Sequence, residues 1–541
     1  MPRHLMNYAS SLLIAISLCA AGLCLAQEVK PPATPAKKEV TKKERPFSIP
    51  KITISKETTW AIEPVGPSGF VDYLGAINRQ CSQGVTPANN AVVLLYQALG
   101  PMPDGREQPA EFFRLLGIEP PPANGVYYEE FGNWFKRTGK PLPAGGIAAV
   151  LEMGTTTGIR PWTVQEFPEV AEWLQSIEKP LGLVADAVER TEYYSPMVSA
   201  DNEEGKLIEV LLPGVQMSRG LARALVSRAM LRLAEKDSLK AWSDLLTIHR
   251  LGRLVGRGPT IIEGLVGIAI ESVAMNAELR FISDARPTEK FIARYVKQLA
   301  SLPPRALVVD KIDHCERAMF LDCCQQIARG RMQLNNLDGG GSNDWTTRVL
   351  ERIMVSSVDW DEILKSGNRR FDRMVAGARM PTYHQRIEEL RKLEVELGQF
   401  RTKVQGFGVL SVFESKPSRT DFAANILLSL LLPATTQCVR AESRCLQRYE
   451  NLELAFALAA WRDEHGTYPE KLEVLAPKYI ATVPSDLFKT QPLHYERIPD
   501  GYRFYSLGEN ETDDMGLTYG EGMGKDDLVV QMPMPLPKPA Q

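Results

Sequence analysis

Residues 509–527 gather Glu509, Glu511, Asp513, Asp514, Glu521, Asp526 and Asp527 against one cation, Lys525, with glycines at 516, 520, 522 and 524. Carboxylates this dense suit a hard cation. Calcium takes six to eight oxygen ligands from a flexible loop, and glycines let backbone carbonyls turn inward to supply some of them. Asp513, Asp514, Asp526 and Asp527 are the best-placed ligands. The twelve-residue EF-hand spacing is absent, and an acidic, glycine-rich loop left in solvent has the same composition.

Other chemistry-bearing residues read more plainly. Asp359-Trp360-Asp361-Glu362 sets acids close together, but the spacing is that of a helix start, with Asp359 capping and Glu362 closing the box. His314 follows Asp310 by one turn and neighbours Glu316; with no second histidine in local reach, a surface or hydrogen-bonded residue is expected there, not a metal ligand. His249, beside Arg250 and Arg253, is expected on a helix face, with an anion site as the alternative. Cys315 and Cys323 share a stripe with Ile312, Met319 and Ile327 and read as core. They are too far apart along one helix to bridge, so a disulfide among cysteines 81, 315, 323, 324, 438 and 445 must join different segments. There is no G-x-S-x-G elbow, H-E-x-x-H pair, Walker loop or dinucleotide fingerprint, and 520–525 puts Asp526 where a phosphate loop needs Ser or Thr.

These residues leave two classes of function. One is a non-enzymatic envelope protein that presents surfaces to protein partners. The other is an exported hydrolase whose site assembles from distant residues, which requires Asp310 and His314 to meet a third acid or histidine in one pocket.

The chain that must position them has 541 residues, 44% hydrophobic and 24% charged, with a net charge of -3. That argues against a disordered chain and against a nucleic-acid binder with a strong basic field. Eight cysteines are too few for a disulfide-built scaffold. Residues 1–26 read as a secretory signal cut after Ala26, with an uncleaved anchor at 8–26 as the alternative. The expected location is therefore outside the cytoplasm, periplasmic or extracellular. Residues 27–58 form a Pro/Lys-rich tether. Residues 59–165 read as an irregular helical region, with short helices at 70–79, 109–116 and 126–137 and a helix start at Thr86-Pro87. In 166–335 a stripe of Leu221, Leu225, Ala229 and Leu233, another of Ala241, Leu245, Ile248 and Val255, and a third helix at 261–282 make a bundle or short solenoid that offers a surface to partners. Residues 336–420 hold a coiled-coil-like helix with Leu390, Leu393, Leu397, Phe400 and Val404 spaced 3, 4, 3, 4. The proline-rich tail 531–541 is a poor candidate for packed structure.

Residues 421–530 form the last module. A helix at 421–464 with a stripe of Cys438, Ala441, Cys445, Leu452, Phe456 and Ala459 stops at His465-Gly466. A hairpin pairs 493–497 with 502–506 around Pro499-Asp500-Gly501. His465-Gly466-Thr467-Tyr468-Pro469, Pro484-Ser485-Asp486-Leu487-Phe488, Tyr505-Ser506-Leu507-Gly508 and the acidic loop after them resemble the C-terminal half of the major pseudopilin of type II secretion systems, over roughly 100 of the 541 residues. The resemblance implies a pilin-like α/β module with a small antiparallel sheet and calcium in the loop after Gly508. The pseudopilin's cleavage motif and membrane-spanning half-helix are absent, so a fibre subunit is not implied; a secretion-system component is a third reading. With Glu57-Thr58-Thr59, Val71-Asp72-Tyr73 and Asn89-Asn90-Ala91, the chain is also similar, over nearly its whole length, to a broad group of exported bacterial proteins, a likeness that carries no activity. The expected fold is α+β, predominantly α-helical, with this module at the C-terminus. No catalytic residue is assigned, calcium is the one expected cofactor, and the expected partners are envelope proteins rather than nucleic acid.

Overall fold

The computed structural model describes residues 49–199, 205–210, 212–332, 355–407, 415–431, 435–518 and 521–535. Its first third alternates irregular chain with short capped helices. Helix α1 (Tyr73–Cys81) starts where the Asp72 carboxylate accepts from the Gly75 N–H, and α2 (Ala91–Leu99) where Asn90 accepts from Val92. The start expected at Thr86 is displaced to Ala91. Thr86 and Asn89 exchange side-chain-to-backbone hydrogen bonds of 2.7 and 3.4 Å, so their capping groups make a turn instead. Helices α3 (Ala110–Leu116) and α4 (Phe131–Thr138) each stop at a left-handed glycine, Gly117 and Gly139. Helices α5 (Gly146–Ile159), α6 (Pro168–Ser176) and α7 (Glu178–Ala187) complete this part.

The bundle is built from α8 (Pro213–Ala234), α9 (Ser238–Val255) and α10 (Ile261–Ala285), which pack on one another. Thr260 and Glu263 make a reciprocal capping box at the start of α10. Helices α9 and α10 approach until backbone meets backbone. A Cβ on Gly267 would stand 2.6 Å from the Gly252 carbonyl oxygen and 2.8 Å from the Gly256 Cα. Helix α11 (Glu289–Ala300) follows, then α12 (Val308–Lys311), a single π turn at Ile312–Glu316 and α13 (Arg317–Ala328). Ile312, Cys315, Met319, Cys323 and Ile327 are all buried, as their stripe predicts.

Helices α14 (Trp360–Ala378), α15 (Tyr383–Phe407) and α16 (Lys416–Leu431) pack together. Leu390, Leu393 and Leu397 are buried in this group, so the coiled-coil-like seam is used within the chain; the side chains of Phe400 and Val404 lie outside the described set. Asp359 caps α14 through the Glu362 N–H at 3.3 Å. The second half of the expected box is not made, because the Asp359 N–H donates to Thr420 Oγ1 and Glu362 turns to Lys365. Of the helix expected at 421–464, the described residues fall in α16 and in α17 (Thr435–His465), and residues 432–434 lie outside the description. Helix α17 ends as expected, at Gly466 with φ 75°.

Two short strands, β1 (Ser485–Asp486) and β2 (Gln491–Pro492), pair antiparallel, and β3 (His494–Ile498), β4 (Gly501–Ser506) and β5 (Leu528–Met532) form an antiparallel sheet in that order. The hairpin is where the sequence places it. Strand β5 extends past the expected start of the unpacked tail. Leu528, Val530 and Met532 alternate into the core, Arg280 donates to the carbonyls of Met534 and Pro535 at 3.2 and 2.7 Å, and Ser283 Oγ accepts from the Met534 N–H. One apolar core joins α2 and α4–α11 to the C-terminal half of α17 and the inner face of the sheet; a second joins Ile52 to Ile77, α12–α16 and the first turns of α17. The architecture is α+β and mostly helical, with a small C-terminal antiparallel sheet. Among the described residues no helix is long and apolar enough to cross a membrane; the 8–26 stretch lies outside them.

Candidate functional site

The acidic loop connects β4 to β5 and is tied down at its root. The buried Asp486 carboxylate accepts from the Phe488 and Lys489 N–H groups through one oxygen and from Leu507 through the other, at 2.7 Å, so the Pro484 to Phe488 turn grips the start of the loop. Glu509 lies between Arg440 (3.1 Å) and Arg444 (2.6 Å) of α17.

The four expected ligands divide into two kinds. Asp513 accepts from Met515 N–H and Tyr505 Oη, and Asp514 from Lys525 Nζ, Asn510 Nδ2 and Asp526 N–H. The Lys525 and Asn510 bonds hold the Asp514 carboxyl below its usual range. Asp526 uses Oδ2 for the Glu509 and Asn510 N–H groups, and Asp527 uses Oδ2 for Gly516. The Oδ1 atom of each is buried and has no hydrogen-bond partner. Burial, with Asp514 and Asp513 charges nearby, raises Asp527 to about 6 against the Gly516 hydrogen bond. Two buried carboxylate oxygens without donors are the donor type calcium takes, and in that respect the residues fit the ion. Among the described residues no three His, Cys, Asp or Glu side chains converge as a metal-holding group, so the remaining ligands would have to be backbone carbonyls.

A second charged cluster lies inside the bundle. His249 on α9 is fully buried. Its Nε2 meets both oxygens of Glu278 at 3.0 and 2.9 Å, and Tyr295 Oη donates to the same carboxylate at 2.5 Å. Its Nδ1 has Glu271 Oε2 at 3.7 Å, too long for a hydrogen bond, so that carboxylate acts through its charge. Glu271 is held by Arg253 at 2.8 Å and Arg305 at 2.9 Å, and both guanidinium groups lie over the Tyr449 ring. Burial pulls the imidazole pKa down, but Glu278 and Glu271 outweigh it and hold His249 at about 9. Burial pushes Glu271 up, and His249 with the two arginines holds it down at about 2. The expectation of a helix-face histidine is corrected: the residue is a buried cation between two acids.

A cleft of about 1040 Å³ opens between the 66–75 segment, the 194–199 segment and α13. Its walls set Leu74, Leu115, Met197 and Val198 beside Asp72, Arg79, Glu111 and Arg329, and its floor carries Asp322 and Gln326. Asp322 accepts from Leu207 N–H at 2.9 Å and Gln326 Nε2 at 3.0 Å, and burial raises it to about 6. A second groove of about 800 Å³ runs between α15 and residues 509–511. Neither holds Asp310 or His314. Asp310 is exposed and pairs with Arg379 at 3.2 Å; His314 Nδ1 bonds back to the Asp310 carbonyl at 2.7 Å and sets its ring edge-on to Trp60. The six described cysteines carry free thiols.

No family model, curated protein or solved structure matches this chain. Two features of these sites were missed in the sequence. The partners of His249 announce themselves as carboxylates, Glu271 and Glu278, among mostly apolar neighbours in α10, where a charge needs a partner. The floor of the cleft had no such signal, since Asp322 and Gln326 sit among cysteines on a stripe that reads as core.

Proposed function

We propose that this chain is an exported cell-envelope protein of structural and interaction type, with a helical region that holds protein partners and a pseudopilin-like C-terminal module stabilised by calcium. One observation carries the interaction reading. The charges of the His249, Glu271 and Glu278 cluster are sealed inside the bundle, while an open cleft of about 1040 Å³ offers Leu74, Leu115, Met197 and Val198 together with Asn78, a group that binds main chain. For the module, Asp526 and Asp527 would hold the ion, with Asp513 and Asp514 flanking them. The ion would supply positive charge to the Oδ1 atoms of Asp526 and Asp527, which the fold buries without donors.

The test is thermal unfolding of residues 27–541 in excess calcium and in chelator, since a ligand that binds only the folded state raises the midpoint. A calcium-dependent rise, lost in Asp526→Asn with Asp527→Asn, is the expected result. An unchanged midpoint removes the ion from the module. For export, mass spectrometry of the chain expressed with its full N-terminus is expected to read Gln27 as the first residue; an intact Met1 in the cytoplasmic fraction contradicts it.

A further inference from the structure

We propose that the large cleft receives an extended polypeptide and reads its main chain. This rests on the partner-binding reading above and gives that partner a chemistry.

The fold already handles extended chain in one consistent way. Asn78 Nδ2 donates to the Met197 carbonyl at 2.8 Å while its Oδ1 accepts from the Met197 N–H at 2.9 Å. Asn90 does the same for Tyr194, at 2.9 and 3.0 Å, and Gln325 for Val71, at 3.1 and 3.3 Å. Extended chain outside a sheet leaves both polar groups of each residue in need of partners, and a side-chain amide is one group that meets both. Segments 66–71 and 194–199, read in this way, form two walls of the cleft.

Gln326 is the next residue on α13 after Gln325 and lines the same cleft, 3% exposed. Its Nε2 is fixed on Asp322 Oδ1 at 3.0 Å, which sets the orientation of the amide, and its Oε1 is buried without a partner. An amide half-used in this way needs an N–H. The main chain of a further extended segment supplies it, and the alternating side chains of such a segment find seats against Leu74, Leu115 and Met197.

The rim charges do not favour a charged ligand. Both signs are present and engaged: Asp72 caps α1, Glu111 is held by Arg114, Arg79 lies 4.0 Å from Glu63 and Arg329 lies over the Phe70 ring. A volume of about 1040 Å³ stands at the top of the small-molecule range and suits a length of chain.

The probe is fluorescein-labelled α-lactalbumin, reduced and carboxymethylated so that it is unfolded, titrated with residues 27–541 and followed by anisotropy. Saturable binding is expected, with none to the same protein in its native, disulfide-bonded form. Leu115→Glu, which puts a charge on a half-exposed wall, should weaken binding at least tenfold. Gln326→Met, which keeps the volume and removes the acceptor, should weaken it about fivefold. Val395→Glu, on the other groove, should leave it unchanged. Circular dichroism and the unfolding midpoint establish that each variant is folded, and Leu115→Glu decides the matter if Gln326→Met is not. Absence of binding, equal binding of native and unfolded probe, or binding unmoved by Leu115→Glu would overturn the proposal. A calcium shift that persists alongside such a failure would leave the ion site standing and place the partner elsewhere.

Discussion

Raising the pH should remove a defined part of this protein's stability through one residue, His249. The folded state holds its proton to about 9, against about 6.5 in an unfolded chain. A group whose pKa rises on folding contributes stability that is fully present below the unfolded value and is lost as pH rises through the folded one. The difference of about 2.5 units, at 1.36 kcal/mol each, gives about 3 kcal/mol, present at pH 6 and gone above pH 9. Glu271, held near 2, stays charged throughout this range and does not offset it. Urea unfolding at pH 6, 7.5 and 9.5, on the natural chain and on His249→Gln, isolates the effect of the cluster, because titrations of groups beyond Glu271 and Glu278 are common to both. The natural chain should lose about 3 kcal/mol more than the variant between the extremes. Ring resonances of the histidines, followed by NMR, should include one that titrates near 9. If the two proteins lose equal stability, or if every histidine titrates between 6 and 7, the charged-imidazole reasoning is wrong.

Close packing and the acidic loop give two more tests. Gly267→Ala should cost about 1–3 kcal/mol in urea unfolding, because the atoms its Cβ would strike are backbone and cannot swing aside. Gly182→Ala on α7, with nothing within 4 Å, should be neutral or stabilising by up to about 1 kcal/mol; equal effects at the two positions would remove the close approach of α9 and α10 from the account. With Asp527 at about 6, protons and calcium compete for the same carboxylate. The calcium-dependent rise in midpoint should be full at pH 7.5, shrink through pH 6 and vanish near pH 5. In chelator the sign is opposite: a carboxyl raised on folding adds stability below its unfolded pKa that is lost as pH climbs through 6. A calcium effect of the same size at pH 5 and 7.5 would rule out Asp527 as a ligand.

Local order was legible in the chain wherever its cause is local. The stop at His465-Gly466, the hairpin around Pro499-Asp500-Gly501 and the buried stripe from Ile312 to Ile327 depend on backbone preference and periodicity within a few residues. The signal was spent differently where another group, near or distant, competed for it. Asp359 gives its N–H to Thr420 instead of to Glu362, and Thr86 turns to Asn89. Strand β5 alternates cleanly in Leu528, Val530 and Met532, yet the prolines after it draw the eye to a tail.

The sequence by itself determined the class of the protein, mostly helical with a small antiparallel sheet, and the concentration of acids in the loop before β5. Tertiary structure alone decided which of those acids have donors, because the N–H groups and cations that serve Asp514 and Glu509 come from Lys525, Asn510 and two arginines of α17. It also decided that His249 is a buried cation, since burial and charge depend on Glu271 and Glu278 of the neighbouring helix coming within reach. The amides that grip Val71, Tyr194 and Met197 lie 254, 104 and 119 residues away along the chain. Electrostatics and hydrogen bonding act over a few ångströms of space whatever the distance in sequence, so these contacts exist only once the chain has folded.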